Sequence, residues 1–396
     1  MTDTVTTPAA TTPAASTPGA NTSDDPDVLV DVRGVKVHFP IKRGVIFDKV
    51  IGYVYAVDGV DLQILRGETY GLVGESGCGK STLGKAILNL EPPTEGSVLF
   101  DGQDIASLKG ETLRRRRKDI QMVFQDPLSS LDPRQSVESL LVEGMRAHGL
   151  DVDGPSTKKR LRELLHAVGL PAAALMKYPH EFSGGQRQRI GIARALSVEP
   201  QLIVADEPVS ALDVSVQAQV INLLEELQDE FHLTYLVIAH DLAVVRHISD
   251  RIGVMYLGGL VEEATADDLY AEPLHPYTRA LLSAVPVPDP TVEDTREQIL
   301  LTGDLPSPSH PPAGCRFHTR CPWRQATRCD DERPELRTVD VPGVPAGHRV
   351  ACHWAEQIAS GELRPHEVAV EMVAPEDTTS DDTADFIGPA SVTEAL

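Results

Sequence analysis

A glycine-rich stretch between an apolar run and a helix-forming run restricts the fold of this chain more than any other feature. The stretch extends from Gly74 to Ser81 with the spacing G-x-x-x-x-G-K-S. Residues 68–73 precede it with strand-forming side chains, and residues 81–88 follow it with helix-forming ones. This order predicts a strand, a tight loop and a helix in succession, which is the setting of a phosphate-binding loop.

The residue types in this loop match the chemistry of nucleotide phosphates. Glycines allow backbone N–H groups to turn inward around the phosphates, and the start of the following helix adds unpaired N–H groups. Lys80 supplies a positive charge, and the hydroxyl group of Ser81 can bind Mg²⁺. The predicted nucleotide-binding residues of the loop are Gly74, Glu75, Ser76, Gly77, Cys78, Gly79, Lys80, Ser81 and Thr82.

A second apolar run ends in two carboxylates. Residues 202–205 have the continuous apolar character of a parallel strand buried on both faces, and Asp206 and Glu207 follow them. Asp206 is expected to face the Mg²⁺ ion held by Ser81, while Glu207 can polarise an attacking water molecule. Two solvated acids at a strand end are the alternative, which a phosphate loop in the same chain disfavours. The pair predicts hydrolysis of a nucleoside triphosphate.

Strand-like and helix-like runs alternate along the chain. Strands are predicted at 28–37, 54–65, 98–100, 120–124 and 235–239, and helices within 133–180 and at 216–231. This alternation predicts an α/β fold with a parallel sheet. The sequence has no run of 18 apolar residues and no secretory signal, so we expect a cytoplasmic location without a transmembrane segment.

Charge and composition limit the classes of partner. The net charge is −23, and an acidic chain lacks the cationic face that broad nucleic-acid binding requires. The basic run at 114–118 is typical of a solvated helix face, with contact to nucleic acid or lipid as the alternative. Residues 1–27 and 361–396 have few large apolar side chains, so we expect disordered tails there.

Residues 182–188, with the sequence FSGGQRQ, resemble the signature motif of the ATP-binding-cassette (ABC) ATPases. In that family the motif opens a helix that meets the nucleotide bound by a second ATPase domain. The resemblance therefore implies that Ser183, Gly184, Gly185 and Gln186 act on the partner's ATP, since Gly184 and Lys80 of one chain cannot reach the same phosphate.

Three further positions resemble motifs of the same family. Gln125 matches the Q-loop, which implies a role in binding Mg²⁺ and in hinging the helical segment. Asp213 matches the D-loop at the dimer interface. His240 matches the switch histidine that contacts the γ-phosphate, with a purely structural histidine as the alternative. Phe39 is the candidate for stacking on adenine and Tyr55 is its rival, because an insertion at 41–53 separates Phe39 from the next predicted strand.

Four stretches resemble a subfamily, the oligopeptide/dipeptide importer ATPases. They are 120–133 (IQMVFQDPLSSLDP), 274–286 (LHPYTRALLSAVP), 314–322 (GCRFHTRCP) and 348–353 (HRVACH). The resemblance implies an ATPase domain at 28–264, with a RecA-like parallel core, an antiparallel β subdomain and a helical subdomain at about 126–183. It also implies a C-terminal extension at 265–360.

The same resemblance implies partners and a cargo. We expect ATP-driven dimerisation with a second ATPase subunit, which is a paralogue or a second copy, at the cytoplasmic face of the membrane. Two permeases and, indirectly, an extracytoplasmic peptide-binding protein complete the importer. Nickel, glutathione or oligosaccharide are alternative cargoes. An exporter, or a soluble ABC ATPase acting on nucleic acid or ribosomes, is disfavoured because the extension is present and a basic surface is not.

The extension contains four of the five cysteines. Their wide spacing lacks the C-x₂₋₄-C step of most zinc sites and suits a [4Fe–4S] cluster, an arrangement known in the resembled subfamily. Zinc, with help from nearby histidines, and unligated thiols remain alternatives. We expect a structural role, since the extension has few large apolar residues and its own core should be small. The predicted ligands are Cys315, Cys321, Cys329 and Cys352.

Overall fold

The computed structural model describes residues 27–43, 49–210, 212–285, 299–301, 303–345 and 347–366. Nearly all of the two predicted disordered tails, and most of the proline-rich stretch that begins at Val285, lie outside the described residues. In the described part, no helix has the length and apolar character that crossing a membrane requires.

The strands are numbered here in chain order. They are β1 (Val28–Arg43), β2 (Lys49–Leu65), β3 (Thr69–Val73), β4 (Glu95–Phe100), β5 (Gln103–Asp104), β6 (Ile120–Val123), β7 (Leu202–Asp206), β8 (Thr234–Ala239), β9 (Arg251–Tyr256), β10 (Gly259–Thr265), β11 (Arg337–Thr338) and β12 (Arg349–Val350).

The α-helices follow the same convention, and short 3₁₀ helices lie at Ala172–Met176, Pro179–Glu181 and His318–Arg320. The α-helices are α1 (Lys80–Ile87), α2 (Gly110–Arg116), α3 (Pro127–Ser130), α4 (Val137–Ala147), α5 (Pro155–Ala167), α6 (Gly184–Leu196), α7 (Val214–Phe231), α8 (Leu242–Ile248), α9 (Ala266–Ala271), α10 (Pro276–Ser283), α11 (Ala326–Cys329) and α12 (Ala355–Ala359).

The larger sheet has the strand order β11-β12-β10-β9-β3-β8-β7-β6. Strands β9, β3, β8, β7 and β6 run parallel to their neighbours, while β10, β12 and β11 continue the sheet in antiparallel fashion. Every residue of β3, β7 and β8 is buried, as continuous apolar runs in a covered parallel sheet should be. The predicted α/β fold is confirmed.

The smaller sheet is antiparallel, with the order β2-β1-β4-β5. Its long hairpin pairs Val28 with Leu65 at one end and Arg43 with Lys49 at the other. Residues 41–43 and 49–53 of the insertion therefore prolong β1 and β2, and the prediction that these residues separate Phe39 from the next strand is wrong. Repeated register shifts along the pair accommodate this length.

The helical segment lies between β6 and β7. The Ser136 side chain accepts a hydrogen bond from the Ser139 N–H and so caps α4, and Pro155 stands at the first position of α5. Apolar residues of α4, α5 and α6 share one core with residues of β7 and α7. The predicted helical character of 133–180 is thus present as α4, α5 and two 3₁₀ helices.

The C-terminal extension packs into the ATPase domain. Strand β12 joins the larger sheet, where Val350 pairs with Glu262 of β10. Phe317 and Trp323 are buried in the same apolar cluster as Tyr256 of β9. The extension therefore contributes to a core that it shares with the ATPase domain, in addition to the expected small core of its own, which contains Leu274, Val339, Val350 and Ala355.

Candidate nucleotide-binding site

The glycine-rich loop connects β3 to α1 in the middle of the larger sheet. Gly79 precedes α1 with a φ of 106°, and a side chain at this position would come within 2.0 Å of the Ala56 carbonyl oxygen. A side chain at Gly74 would come within 2.1 Å of the Met255 carbonyl oxygen. Both positions require glycine, since the loop is wedged between β2 and β9.

Lys80 is almost fully buried beneath this loop. Its ammonium group donates hydrogen bonds to the carbonyl oxygens of Gly74 at 2.7 Å and Glu75 at 3.0 Å. These carbonyl groups hold the side chain along the inside of the loop. The charge of Lys80 thus lies along the inside of the loop, and its contact with phosphate oxygens stays a prediction.

Ser81 and Asp206 meet at the carboxyl edge of the sheet. The Ser81 hydroxyl donates a hydrogen bond of 2.8 Å to the Asp206 carboxylate. Burial raises the pKa of Asp206, and the hydrogen bond from Ser81 opposes that shift. The donor set of one hydroxyl and one buried carboxylate suits Mg²⁺, and the ion would in turn favour the charged carboxylate.

Glu207 lies beside this pair in a strained backbone conformation. Its φ is 45°, in the left-handed region that non-glycine residues seldom adopt. The Glu207 N–H donates to the Ile238 carbonyl oxygen at 2.8 Å, which keeps the residue at the end of β8. Gln125 donates a hydrogen bond of 2.7 Å to the Glu207 carboxylate, and Nδ1 of His240 lies 3.6 Å from the same group. Three predicted residues therefore converge.

The contact between Gln125 and Glu207 refines the role predicted for Gln125. In this structure its amide nitrogen binds the proposed catalytic carboxylate, and its contact with a metal stays a prediction. Residues 124–126, which follow β6, lead into the helical segment. The orientation of Glu207 is consequently linked to the position of that segment.

The signature residues begin α6 and are turned to the surface. Ser183 and Gln186 form a reciprocal cap, in which the Ser183 N–H donates to the Gln186 side chain at 3.0 Å and the Gln186 N–H donates to the Ser183 hydroxyl at 3.4 Å. Gly184 is exposed beside them, and Gly185 is half-buried. The side-chain hydrogen bonds of Ser183 and Gln186 thus stay within this helix start, while Arg187 donates from Nε to the Pro179 carbonyl oxygen.

Two further predicted residues lie outside the convergent group. Asp213 is exposed and precedes α7, where its carbonyl oxygen accepts from the N–H groups of Val216 and Gln217. Phe39 pairs with Val54 in the hairpin and is 38 % exposed. Tyr55 packs edge-on against His38 with ring centroids 4.7 Å apart. Phe39 is thus exposed and Tyr55 is half-buried against His38, and the choice between them as the adenine-stacking ring stays a prediction.

The four cysteines of the extension influence one another. Burial raises the pKa of Cys315 to about 11 and that of Cys352 to about 12, and the neighbouring thiols add to both shifts. Cys321 likewise interacts with Cys352, Cys315 and Cys329. In the described chain, however, no group of three or more His, Cys, Asp or Glu residues is arranged to hold a metal ion. The predicted [4Fe–4S] site is therefore not supported by this geometry.

Sequence reasoning missed the contacts between the extension and the phosphate loop. Arg320 forms two hydrogen bonds with the Glu75 carboxylate, and the Tyr277 hydroxyl accepts from the Glu75 N–H. Arg320 and Tyr277 lie in stretches that resemble the importer subfamily, and this resemblance was the sequence signal that could have pointed to them. No pattern of spacing reveals a contact between residues 245 positions apart.

Comparisons with known proteins agree with this site. The ABC transporter family matches residues 57–210, and the family described as oligopeptide/dipeptide transporter, C-terminal region, matches residues 261–329. The chain is 54 % identical to the oligopeptide transport ATP-binding protein AppF of Bacillus subtilis, over 84 % of this chain and 99 % of that protein. It is 52 % identical to OppF of Salmonella typhimurium, over 78 % of this chain and 92 % of that protein.

Solved structures give the same fold. A dimeric ATP-binding cassette in a post-hydrolysis state with ADP and Pi has a TM-score of 0.53 at 31 % identity, covering 60 % of this chain and 99 % of that one. A dimeric bacterial ABC transporter cassette has a TM-score of 0.54 at 30 % identity, with the same coverage of both chains. In each comparison, the matched part of this chain corresponds to nearly the whole of one cassette.

Proposed function

This chain belongs to the family of oligopeptide transport ATP-binding proteins, and on that premise we propose that it hydrolyses ATP to energise the import of di- or oligopeptides. The observation that carries the ATPase activity is the convergence of Ser81, Asp206, Glu207, Gln125 and His240 beside the glycine-rich loop. Identity to oligopeptide transport proteins along nearly their whole length supports the cargo class.

The residues of this site have separate roles in the proposed reaction. The loop amides and Lys80 bind the phosphates, while Ser81 and Asp206 would hold Mg²⁺, which neutralises phosphate charge when bound. Glu207 orients the attacking water and accepts its proton. Gln125 and His240 contact the Glu207 carboxylate, so both can set its orientation.

We propose that hydrolysis requires a second ATPase domain. The surface exposure of the signature motif on α6 supports this, because Ser183 and Gln186 make their side-chain hydrogen bonds within their own helix start. A head-to-tail pair would bring the motif of one subunit to the phosphates of the other. The related dimeric cassettes give the fold precedent. Two permeases would then anchor the pair peripherally at the cytoplasmic face of the membrane.

The experiment for the cargo uses the complete transporter in proteoliposomes with its binding protein outside and ATP inside. Peptides of two to five residues should accelerate ATP hydrolysis and accumulate in the lumen, and Lys80→Ala should abolish both. Acceleration by nickel, glutathione or an oligosaccharide, but not by peptides, would assign the alternative cargo. ATP hydrolysis indifferent to all four would contradict an importer.

We also propose a [4Fe–4S] cluster on Cys315, Cys321, Cys329 and Cys352, with zinc as the alternative. Each thiolate of such a cluster binds a different iron, so the four need not lie within reach of one ion. The mutual interaction of all four thiols supports the grouping. His318, His348 and His353 each use one ring nitrogen in a hydrogen bond, to Cys315 O, Glu262 and Glu332 O respectively. The second ring nitrogen of each could still bind a metal, so a mixed Cys/His zinc site stays an alternative.

Anaerobic purification followed by iron, sulfide and zinc analysis tests this site. Four iron and four sulfide per chain, with a broad visible absorption band lost in Cys329→Ser, are the expected result. Stoichiometric zinc without iron would show that the four thiolates bind zinc instead of a cluster. Four titratable thiols with neither metal would reject both.

A further inference from the structure

One segment of the extension reaches the nucleotide loop directly. The Arg320 guanidinium donates to both oxygens of the Glu75 carboxylate, at 2.9 Å from Nη1 and 3.1 Å from Nη2. The Arg320 side chain is 9 % exposed and that of Glu75 is 26 % exposed. A bidentate pair in a partly buried position fixes orientation as well as charge. Glu75 is therefore held from the side by a residue of the extension.

A second contact holds the backbone of the same residue. The Glu75 N–H donates to the Tyr277 hydroxyl at 2.8 Å. Tyr277 is fully buried and packs edge-on against Tyr256, with ring centroids 4.7 Å apart, and against Phe317 at 5.4 Å. Since Phe317 lies three positions before Arg320, one short segment supports both contacts. The aromatic cluster makes this support rigid.

The same segment is also tied to β2. Arg316 bonds to the Asp58 carboxylate and to the Leu257 carbonyl oxygen. Asp58 follows Ala56, whose carbonyl oxygen lies against Gly79 of the loop. Arg320 of this segment thus contacts the loop at Glu75, while Arg316 contacts β2 two residues after Ala56, whose carbonyl oxygen lies against Gly79.

The charge of Glu75 explains why such support is needed. Glu75 is an acid within a loop that must accept negatively charged phosphates, and its own carbonyl oxygen binds Lys80. An uncompensated carboxylate there would repel the nucleotide and compete for Lys80. The Arg320 guanidinium lies against both carboxylate oxygens and so neutralises Glu75.

We propose that Arg320 is a positioning residue for nucleotide binding, which neutralises and orients Glu75 so that the folded extension sets the affinity of the loop for ATP. The proposal gives the extension a role at the nucleotide site. It rests on ATP binding by the loop and is independent of the cargo.

The test is equilibrium titration of the full chain with a fluorescent ATP analogue and Mg²⁺. Arg320→Ala should weaken binding about tenfold, because one unpaired carboxylate remains near the phosphates. Adding Glu75→Gln to Arg320→Ala should recover most of the lost affinity, because the uncompensated carboxylate is removed. The free energy of unfolding is measured for both variants, and a recovery of affinity that only follows a recovery of stability would mark a merely structural ion pair. Arg337→Ala is the matched control, since Arg337 forms a bidentate pair with Glu356 within the extension and should bind ATP as the wild type does.

Two outcomes would overturn the proposal. One is wild-type affinity in Arg320→Ala, and the other is a double variant that binds no better than Arg320→Ala. If Arg320→Ala fails to fold, the same comparison is made with Arg320→Gln, with and without Glu75→Gln, because glutamine retains one hydrogen-bond donor. If peptide import fails while ATP binding is intact, the proposed cargo is contradicted, but the role proposed for Arg320 is not.

Discussion

At the scale of single residues, the site depends on a few carboxylates with distinct surroundings. Asp206 is buried and bonded to Ser81, whereas Glu207 is bonded to Gln125 and lies near His240. Glu75 is neutralised by Arg320. These three environments differ as the proposed roles require, which are metal binding for Asp206, activation of water for Glu207 and support of the loop for Glu75.

Glu207→Gln should retain ATP binding and lose turnover. Glutamine preserves the shape of the side chain but cannot accept the proton of the attacking water, so hydrolysis should fall by about 10²-fold or more. Steady-state ATPase assays of the assembled transporter and nucleotide titration of the isolated chain measure the two effects. Glu226→Gln, at an exposed position of α7, serves as the control. Turnover near the wild-type rate in Glu207→Gln would show that another group is the catalytic base.

At the scale of secondary-structure elements, helix starts carry much of the function. The reciprocal cap of Ser183 and Gln186 begins the signature helix α6, and the His275 imidazole accepts from the Tyr277 N–H to begin α10. The second cap places Tyr277 against the nucleotide loop. Local capping therefore determines where two functional surfaces lie.

Comparison of Ser183→Ala with Ser136→Ala should distinguish the effect of an N-cap on stability from its effect on ATP hydrolysis. Loss of an N-cap should lower the free energy of unfolding by about 1 kcal/mol, and Ser136→Ala on α4 should lower it by a similar amount. Only Ser183→Ala should reduce ATP hydrolysis by the assembled transporter, while both variants should bind ATP normally as isolated chains. Equal ATPase activity in the two variants would remove the signature motif from the composite site.

His275 should make stability depend on pH. Burial lowers its pKa from 6.5 to about 4, against the opposing effect of Glu262, so the folded state holds this imidazole neutral. The unfolded state binds the proton more tightly, and the stability contributed by neutral His275 is present above pH 6.5 and lost as the pH falls toward 4.

Thermal unfolding of the wild type and His275→Asn at pH 7.5 and pH 5 measures this contribution. Asparagine can still cap α10 but does not titrate. The wild type should therefore lose more stability between the two pH values than the variant. An identical loss in both proteins would assign the acid sensitivity to other groups.

At the scale of the whole molecule, the extension and the ATPase domain form one folded body. Strand β12 extends the larger sheet, Phe317 and Trp323 complete its core, and Arg316 and Arg320 bond to β2 and to the nucleotide loop. A change at Arg316 or Arg320 is therefore expected to reach the ATP site.

The isolated chain should hydrolyse ATP poorly and gain activity when it joins its partner ATPase and permeases. The reason is that, in the proposed head-to-tail pair, its exposed signature motif would meet the phosphates of another subunit. Turnover measured against protein concentration, with size-exclusion chromatography to report the oligomeric state, tests this expectation. Rapid hydrolysis by a strictly monomeric preparation would contradict it.

Residue order along the chain was enough to predict the nucleotide site, because its parts are short local patterns. The loop at Gly74–Ser81, the strand ending in Asp206 and the helix beginning after Ser183 each form from neighbouring residues. The carboxyl ends of parallel strands then necessarily meet at one edge of the sheet. Local pattern also predicted most strands and the α/β class.

Only the tertiary structure decided how the extension relates to that site. The bond from Arg320 to Glu75, the pairing of β12 with β10 and the burial of Phe317 join residues far apart in the chain. Such contacts arise from packing between distant parts of the chain. Any arginine or aromatic residue of the right shape could make them, so the spacing of residues in the sequence does not predict them. Chemistry with a fixed local geometry is readable from sequence, whereas support from distant residues depends on the folded core that brings them together.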